Sequence, residues 1–489
     1  MINTRFCIFF LSLLFSGPVT AQPLQNFVLQ KINIPILQGS LWGGIAADTQ
    51  HPQEPLFSVQ ADTRFTPAST LKLLTTAAAL ETWGPLHRFT TELYASASPD
   101  ENGVLQGDLW IRGGGDPTLG STRVPGAESL ETVLQKWQEA IKNSGIKKIT
   151  GNIYADISLF EGPAVPPKVN WENMGNYYAA PASPLCINDN LFEIYFTPQT
   201  QGNQPVSVAK TIPEIPELTF QSFVTTDAKN RKDNAFVYGA PGQNQLKIFG
   251  TIPPHATGFK IKGAMPDPAL FAAQSLRRQL LQDEINVQGT AQTSLQAPDY
   301  TSFVKLHTYR SPALKDIIIL VNKRSFNLYA EMLLRNLAVA AGKKGSLQNG
   351  LNELVTFLRK HDLVKPNEVV LYDGSGLSRD NLVTPHALLK TLIYMSKSPY
   401  FSYYYNSLAT PDDRGDLLVL RRFLKPQKKV NEVRIKGGTI DSVKAGAGYV
   451  KNQEGQVVAF VLMANNLATK DESLFRAHEE IIKKLLELK

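Results

Sequence analysis

The sequence predicts a mixed α+β fold in which one domain is split by a large insertion. Three observations carry that prediction. Strand-like and helix-like segments alternate at both ends of the chain, whereas from about residue 163 to 237 the composition shifts to Pro, Asn, Gln and Thr with scattered strand-like runs. The 34 glycines and 31 prolines among 489 residues indicate loops and strands rather than a helical bundle. Aromatic and branched residues continue through the middle, so it reads as an irregular insertion and not as disorder.

Taken in order, the chain opens with Arg5, the apolar run Phe6 to Phe15, and Val19-Thr20-Ala21. That is the form of an export signal cleaved after Ala21, so residues 1–21 are set apart from the fold. Residues 32–38 are too brief to classify. Segments 41–48 and 55–59 read as strands around a turn at 51–54. A helix over 68–82 follows, rich in Ala and Leu and opened by Pro67. Residues 87–95 alternate like a strand, and 107–112 run into the glycine-rich 113–117. Leu130, Val133, Leu134, Trp137 and Ile141 give 128–144 helical spacing, closed by Gly145. A strand over 149–157 is interrupted at Gly151. Beyond Pro312, helices are expected at 314–321, 326–341, 351–360, 386–396 and 417–423. Strands are expected at 433–435 and 457–463, with 445–450 between them. The last helix, 470–488, is amphipathic with a basic end.

Composition excludes several classes. A net charge of +7 with no Lys/Arg-dense stripe argues against nucleic-acid binding. No run after the signal reaches the roughly 18 apolar residues of a membrane span. The mature chain is therefore expected to be exported and at most peripherally attached to a membrane. Of the two cysteines, Cys7 lies in the signal, which leaves Cys186 alone. Neither an intramolecular disulfide nor a cysteine metal site is then available. The seven histidines show no metal-ligand spacing, so no metal and no cofactor are expected.

The chemistry is carried by three short motifs. Ser69 and Lys72 stand three apart at the head of a helix and share a face. A hydroxyl beside an amine that burial keeps neutral is a nucleophile with its own base. Ser325-Phe326-Asn327 heads a second helix, and Lys436-Gly437-Gly438-Thr439 follows a short strand. S-x-x-K, S-x-N and K-[ST]-G in that order are the signature of penicillin-binding proteins and serine beta-lactamases, and the third element is imperfect here. Acyl transfer assigns the roles: Ser69 nucleophile, Lys72 base, Ser325 proton relay, Asn327 orienting group, Lys436 attractor of a substrate carboxylate. The backbone N–H groups of Ser69 and Thr439 are the expected oxyanion hole.

Here the resemblance becomes specific. Together with Gly113-Gly114-Gly115-Asp116-Pro117-Thr118-Leu119, Leu328-Tyr329-Ala330-Glu331, Asp373-Gly374-Ser375-Gly376-Leu377-Ser378-Arg379 and Ala447-Gly448-Tyr449, these motifs resemble the D-alanyl-D-alanine carboxypeptidase/endopeptidase family of low-molecular-mass class C penicillin-binding proteins, the DacB-like group. The resemblance covers essentially the whole mature chain. It implies a transpeptidase-like domain, an antiparallel sheet flanked by helices, over 22–92 and 298–489. It also implies an insertion domain over 93–160 and 245–297, and a further one over 161–244. The implied activity is periplasmic: trimming D-Ala-D-Ala termini and opening D-Ala–mesoDAP crosslinks of peptidoglycan stem peptides, with beta-lactams as covalent inhibitors. The alternatives are a serine beta-lactamase and a non-catalytic peptidoglycan-binding scaffold.

Two departures stand out. Gly437 replaces the hydroxyl residue of the usual K-T-G, a loss expected to weaken binding by about 1–3 kcal/mol. Thr439, of the same strand parity, is the candidate substitute, and Gly437, Gly438 and Thr439 are assigned to substrate binding. The segment 407–415 also departs, through Pro411-Asp412-Asp413-Arg414. By the same resemblance, Asp156 is expected to face the cleft and meet the free amine of a stem-peptide side chain. Asp116-Pro117 is expected to serve a tight turn, Asp373 and Ser375 to shape a loop, Arg379 to add positive potential, and Cys186 to be a buried hydrophobe.

Overall fold

Five antiparallel strands bring the two ends of the chain together. In the computed structural model their order is Phe57–Val59, Leu41–Asp48, Val457–Asn465, Val443–Lys451 and Val433–Ile440. The structure describes residues 21–489 except 198, 230–233, 255–257, 415–416 and 470–471. Residues 1–20 of the signal segment, including Arg5 and Cys7, therefore lie outside the described residues, as do Gly415 and the first residues of the expected last helix.

The Val457–Asn465 strand is apolar almost throughout because the sheet is covered on both faces. Ala459, Val461 and Met463 face the helices Lys72–Trp83, Asn327–Ala340 and Pro385–Lys397, while Val458, Phe460, Leu462 and Ala464 face Glu472–Leu486 and Ala21–Ile32. The helix Ala21–Ile32 was not anticipated. Leu24 and Val28 bury its inner face against the outer layer.

The inserted region carries its own sheets. Ala291–Ser294, Ile153–Asp156, Leu109–Gly113, Thr90–Ala95 and Val304–Arg310 form a mixed five-stranded sheet. Residues 304–310 thus pair with this sheet, although the expected boundary at 298 assigns them to the catalytic unit. Two smaller sheets follow. One holds Val208–Ile212, Leu191–Phe196 and Lys260–Ala264, and the other Asn234–Tyr238, Gln245–Ile252, Thr219–Thr226 and Pro205–Val206. The strand Gln245–Ile252 pairs only with the expected third domain's strands among the described residues, beyond the boundary expected at 244. The helix Pro268–Gln282, capped by Asp267 and opened by Pro268, was also not anticipated. No helix among the described residues is long and apolar enough to cross a membrane.

Candidate active site

The Ser69 segment is held to the sheet by Asn465, whose Oδ1 accepts from Thr66 N at 2.7 Å and whose Nδ2 donates to Thr66 O at 3.2 Å. The expected helix over 68–82 is in fact a 3-10 turn, Ala68–Leu71, followed by the α-helix Lys72–Trp83. In a 3-10 turn residues i and i+3 eclipse, which sets Lys72 directly over Ser69. Ala68, buried at φ 46, holds the chain in a conformation rare for a residue with a side chain.

Lys72 Nζ lies 2.9 Å from Ser69 Oγ, 2.7 Å from Asn327 Oδ1 and 2.5 Å from Ser375 O. The amine is fully buried, and desolvation lowers its pKa to about 7 against the opposing pull of Asp373 and Glu331. Its three neighbours suit a neutral amine. Two are carbonyl oxygens that only accept, and the third is a hydroxyl able to donate. Two N–H bonds and one lone pair therefore find matching partners.

Ser325, at φ 59, joins the helix Leu314–Lys323 to Asn327–Ala340. Asn327 Nδ2 donates to Tyr178 O at 2.7 Å, which turns its carbonyl toward Lys72. Lys436, also fully buried, reaches Ser325 Oγ at 3.0 Å and its neighbour's carbonyl, Gly437 O, at 2.6 Å. Gly438 is required by proximity: a Cβ there would come within 2.8 Å of Ser69 N and 2.9 Å of Pro67 O. Thr439 is exposed in the cleft, and its Oγ1 accepts from Lys444 Nζ at 3.3 Å.

Gly437 is extended backbone within Val433–Ile440, with no left-handed conformation to demand glycine. What stands over it is Arg414. A Cβ at 437 would meet the guanidinium at 2.2–2.5 Å, so Arg414 occupies the space a threonine side chain needs. The two departures from the motif pattern are neighbours in space. Asp413, one residue earlier, pairs with Lys323 at 3.2 Å and so ties this segment to the Ser325 turn.

A buried acid that the sequence had offered only within a motif completes the arrangement. Glu331 lies one helical turn after Asn327, and its Oε1 accepts from Gly374 N at 3.0 Å and Ser375 N at 2.9 Å. Asp373 accepts from Gly376 N, Ser378 N and Asn381 Nδ2 at 2.6–2.8 Å. Together they fold the loop so that Ser375 O meets Lys72, the loop-shaping role expected for this segment. Burial, then the charge of Asp373, raises the Glu331 carboxyl to about 7, and burial also raises Asp373. A carboxylate one turn after Asn327 and one turn before Arg335, in a helix otherwise rich in apolar residues, was the signal available in the sequence.

The cleft has a volume of about 660 Å³ and is lined by Ser69, Ser325, Asn327, Thr439, Tyr178 and Arg379 among others. Asp156 is not among its lining residues, contrary to expectation. Its side chain is buried, with Oδ2 accepting from Tyr300 Oη at 2.6 Å and Oδ1 from Ser158 N at 2.8 Å. The strand Ile153–Asp156 turns it into the inserted sheet's own packing. Asp116 caps a turn through Thr118 beside Gly115 at φ 79, and Cys186 is buried, its thiol pushed up to about 12.

Residues 24–485 match the D-Ala-D-Ala carboxypeptidase 3 (S13) family. The chain belongs to that family. It is a serine-type D-Ala-D-Ala carboxypeptidase/endopeptidase. Among S13 relatives, it is 28% identical over 440 residues to the D-alanyl-D-alanine carboxypeptidase of Actinomadura sp. (strain R39), covering 88% of this chain and 79% of that protein. It is 28% identical over 472 residues to D-alanyl-D-alanine carboxypeptidase DacB of Haemophilus influenzae, covering 96% of this chain and 94% of that protein. The S13 fold is seen again in the crystal structure of penicillin binding protein 4 (dacB) from Haemophilus influenzae, with a TM-score of 0.78 and 24% identity over 96% of this chain and 100% of that one.

Proposed function

We propose that this enzyme works in the periplasm, after removal of its leader at Ala21, on the D-Ala-D-Ala ends and D-Ala–mesoDAP crosslinks of peptidoglycan stem peptides. The observation that carries the mechanism is the buried Lys72 amine between Ser69 Oγ and two carbonyl oxygens. Ser69 Oγ attacks the D-alanyl carbonyl carbon as its proton passes to Lys72 Nζ. The oxyanion forms against the N–H groups of Ser69 and Thr439. The C–N bond then breaks, and the departing amine takes a proton through Ser325 Oγ, refilled by the protonated Lys72 amine, while Lys436 keeps its charge for the carboxylate. Water hydrolyses the acyl-Ser69 ester by the reverse use of the same groups. Lys436 and the Thr439 hydroxyl hold the terminal carboxylate, and Arg379 adds positive potential at the mouth. In a beta-lactam the leaving nitrogen stays tethered to the acyl group, so the adduct persists.

Intact-protein mass spectrometry after incubation with benzylpenicillin tests this reading. One adduct is expected on the wild type and none on Ser69→Ala. An adduct that survives the substitution overturns the assignment.

A further inference from the structure

An inserted sheet that borders the cleft shows an inverted surface. Its strands Asn234–Tyr238, Gln245–Ile252 and Thr219–Thr226 bury Val224, Ala235, Val237, Leu246, Ile248 and Ile252 on one face. Alternation should then present polar side chains on the other. Instead Phe236 and Phe223 each stand opposite Phe249 across the strands, in one row on the open face. These three phenylalanines are 41–48% exposed. The Phe223 and Phe249 rings stack at 4.7 Å and 9°, Tyr238 meets Phe249 edge-on at 5.3 Å, and Trp171, 69% exposed, lies 4.9 Å from Tyr238. A contiguous exposed aromatic row of this kind marks a binding surface.

The row is continuous with the catalytic centre. Phe236 and Tyr238 line the same cleft as Ser69 and Ser325, beside Asn170 and Asn173. A second depression of about 610 Å³ shares Tyr238 and Trp171's neighbourhood, and runs on past Gln243, Asn244 and Gln245. Lys247 is the one cation lining it among the described residues, too few for a polyanion. Flat ring faces interleaved with neutral amides match an uncharged, polyhydroxylated ring. The C–H faces of a pyranose stack on the aromatics, and its hydroxyl and acetamido groups meet the amides.

We propose that this aromatic row binds the glycan strand of peptidoglycan, so that a stem peptide hanging from the strand enters the cleft at Ser69. This inference rests on the substrate class proposed above, because continuity with the cleft is what selects a sugar chain over a protein partner.

The test uses the full mature chain and soluble, uncharged oligomers of N-acetylglucosamine. Calorimetry is expected to show binding by the wild type and at least tenfold weaker binding by Phe223→Ser/Phe249→Ser. Trp171→Ala, in a separate segment, is expected to weaken binding as well and decides the matter should the double variant not fold. Benzylpenicillin, which carries no sugar, reports the catalytic centre independently. Absence of glycan binding by a wild type that still forms the penicillin adduct overturns the glycan proposal alone. Equal binding by wild type and variants overturns it too. Glycan binding by a wild type that forms no adduct keeps this proposal and removes the enzymatic one.

Discussion

The pH dependence of Ser69 acylation exposes the Lys72 argument most directly. An ordinary lysine would titrate near 10.5, whereas burial brings Lys72 to about 7. Only the neutral amine can take the serine proton, so the rate follows the deprotonated fraction. That fraction is about one-tenth at pH 6 and about nine-tenths at pH 8. Second-order acylation by benzylpenicillin should therefore climb roughly tenfold between those values and level off above them. Glu331→Gln sharpens the test. The amide carbonyl can still accept from Gly374 N and Ser375 N, so the loop geometry survives. The negative charge that favours the protonated amine is gone, leaving Asp373 and Arg335 as the facing charges. With the Glu331 carboxyl raised to about 7, that charge acts from about neutral pH upward, so the midpoint of the rise should move to lower pH and the rate at pH 7 should increase relative to the variant's own plateau. Glu331→Ala, by contrast, strands two buried N–H groups at about 1–3 kcal/mol each and should lower stability by about 2–6 kcal/mol. Stopped-flow acylation from pH 5 to 10 reads the first two effects, and denaturant unfolding reads the third. A wild-type rate still rising tenfold per unit at pH 9, or an acid limb that moves upward in Glu331→Gln, refutes the reasoning.

Three other expectations concern neighbouring groups. Lys436→Ala should lose about 1.5–3 kcal/mol on peptides with a free terminal carboxylate, roughly ten- to a hundredfold in kcat/KM, and little on their amidated analogues; equal losses on both reject the carboxylate role. Gly437→Thr must expel the Arg414 guanidinium and should cost about 1–2 kcal/mol of stability by overpacking, a loss relieved in Gly437→Thr/Arg414→Ala. Additive unfolding free energies across that cycle would show that the two positions do not share space. Asp156→Ala should leave kcat/KM on short peptides unchanged and lower stability by about 1–3 kcal/mol, since Tyr300 Oη and Ser158 N lose their acceptor. Loss of activity at unchanged stability would return Asp156 to a substrate role.

What the sequence determined by itself is what depends on near neighbours. The 3.6-residue spacing of Leu130, Val133, Leu134, Trp137 and Ile141 places the helix Leu130–Asn143 within two residues at its start and one at its end. Apolar runs likewise mark Leu41–Asp48 and Val457–Asn465 as strands. The order of the three motifs identified the chemistry, because Ser69 and Ser325 each stand at the head of a helical segment and Lys436 lies in a glycine-bearing strand. Where local signals are weak, partners distant in the chain set the element bounds. The strand expected at 433–435 continues to Ile440 because pairing along Val443–Lys451 carries it through Gly437 and Gly438, poor strand formers on their own. The 3-10 turn under Ser69 escaped notice because helix propensity does not distinguish it from an α-helix. Tertiary structure alone decided the rest. Lys72 is depressed by burial and held by Asn327 and Ser375, which are 255 and 303 residues away along the chain. Arg414 fills the gap at Gly437, while Asp156 turns inward to Tyr300. A pKa, a filled volume and a buried carboxylate are properties of the groups that surround a side chain, and chain folding brings those groups from segments that no local pattern connects.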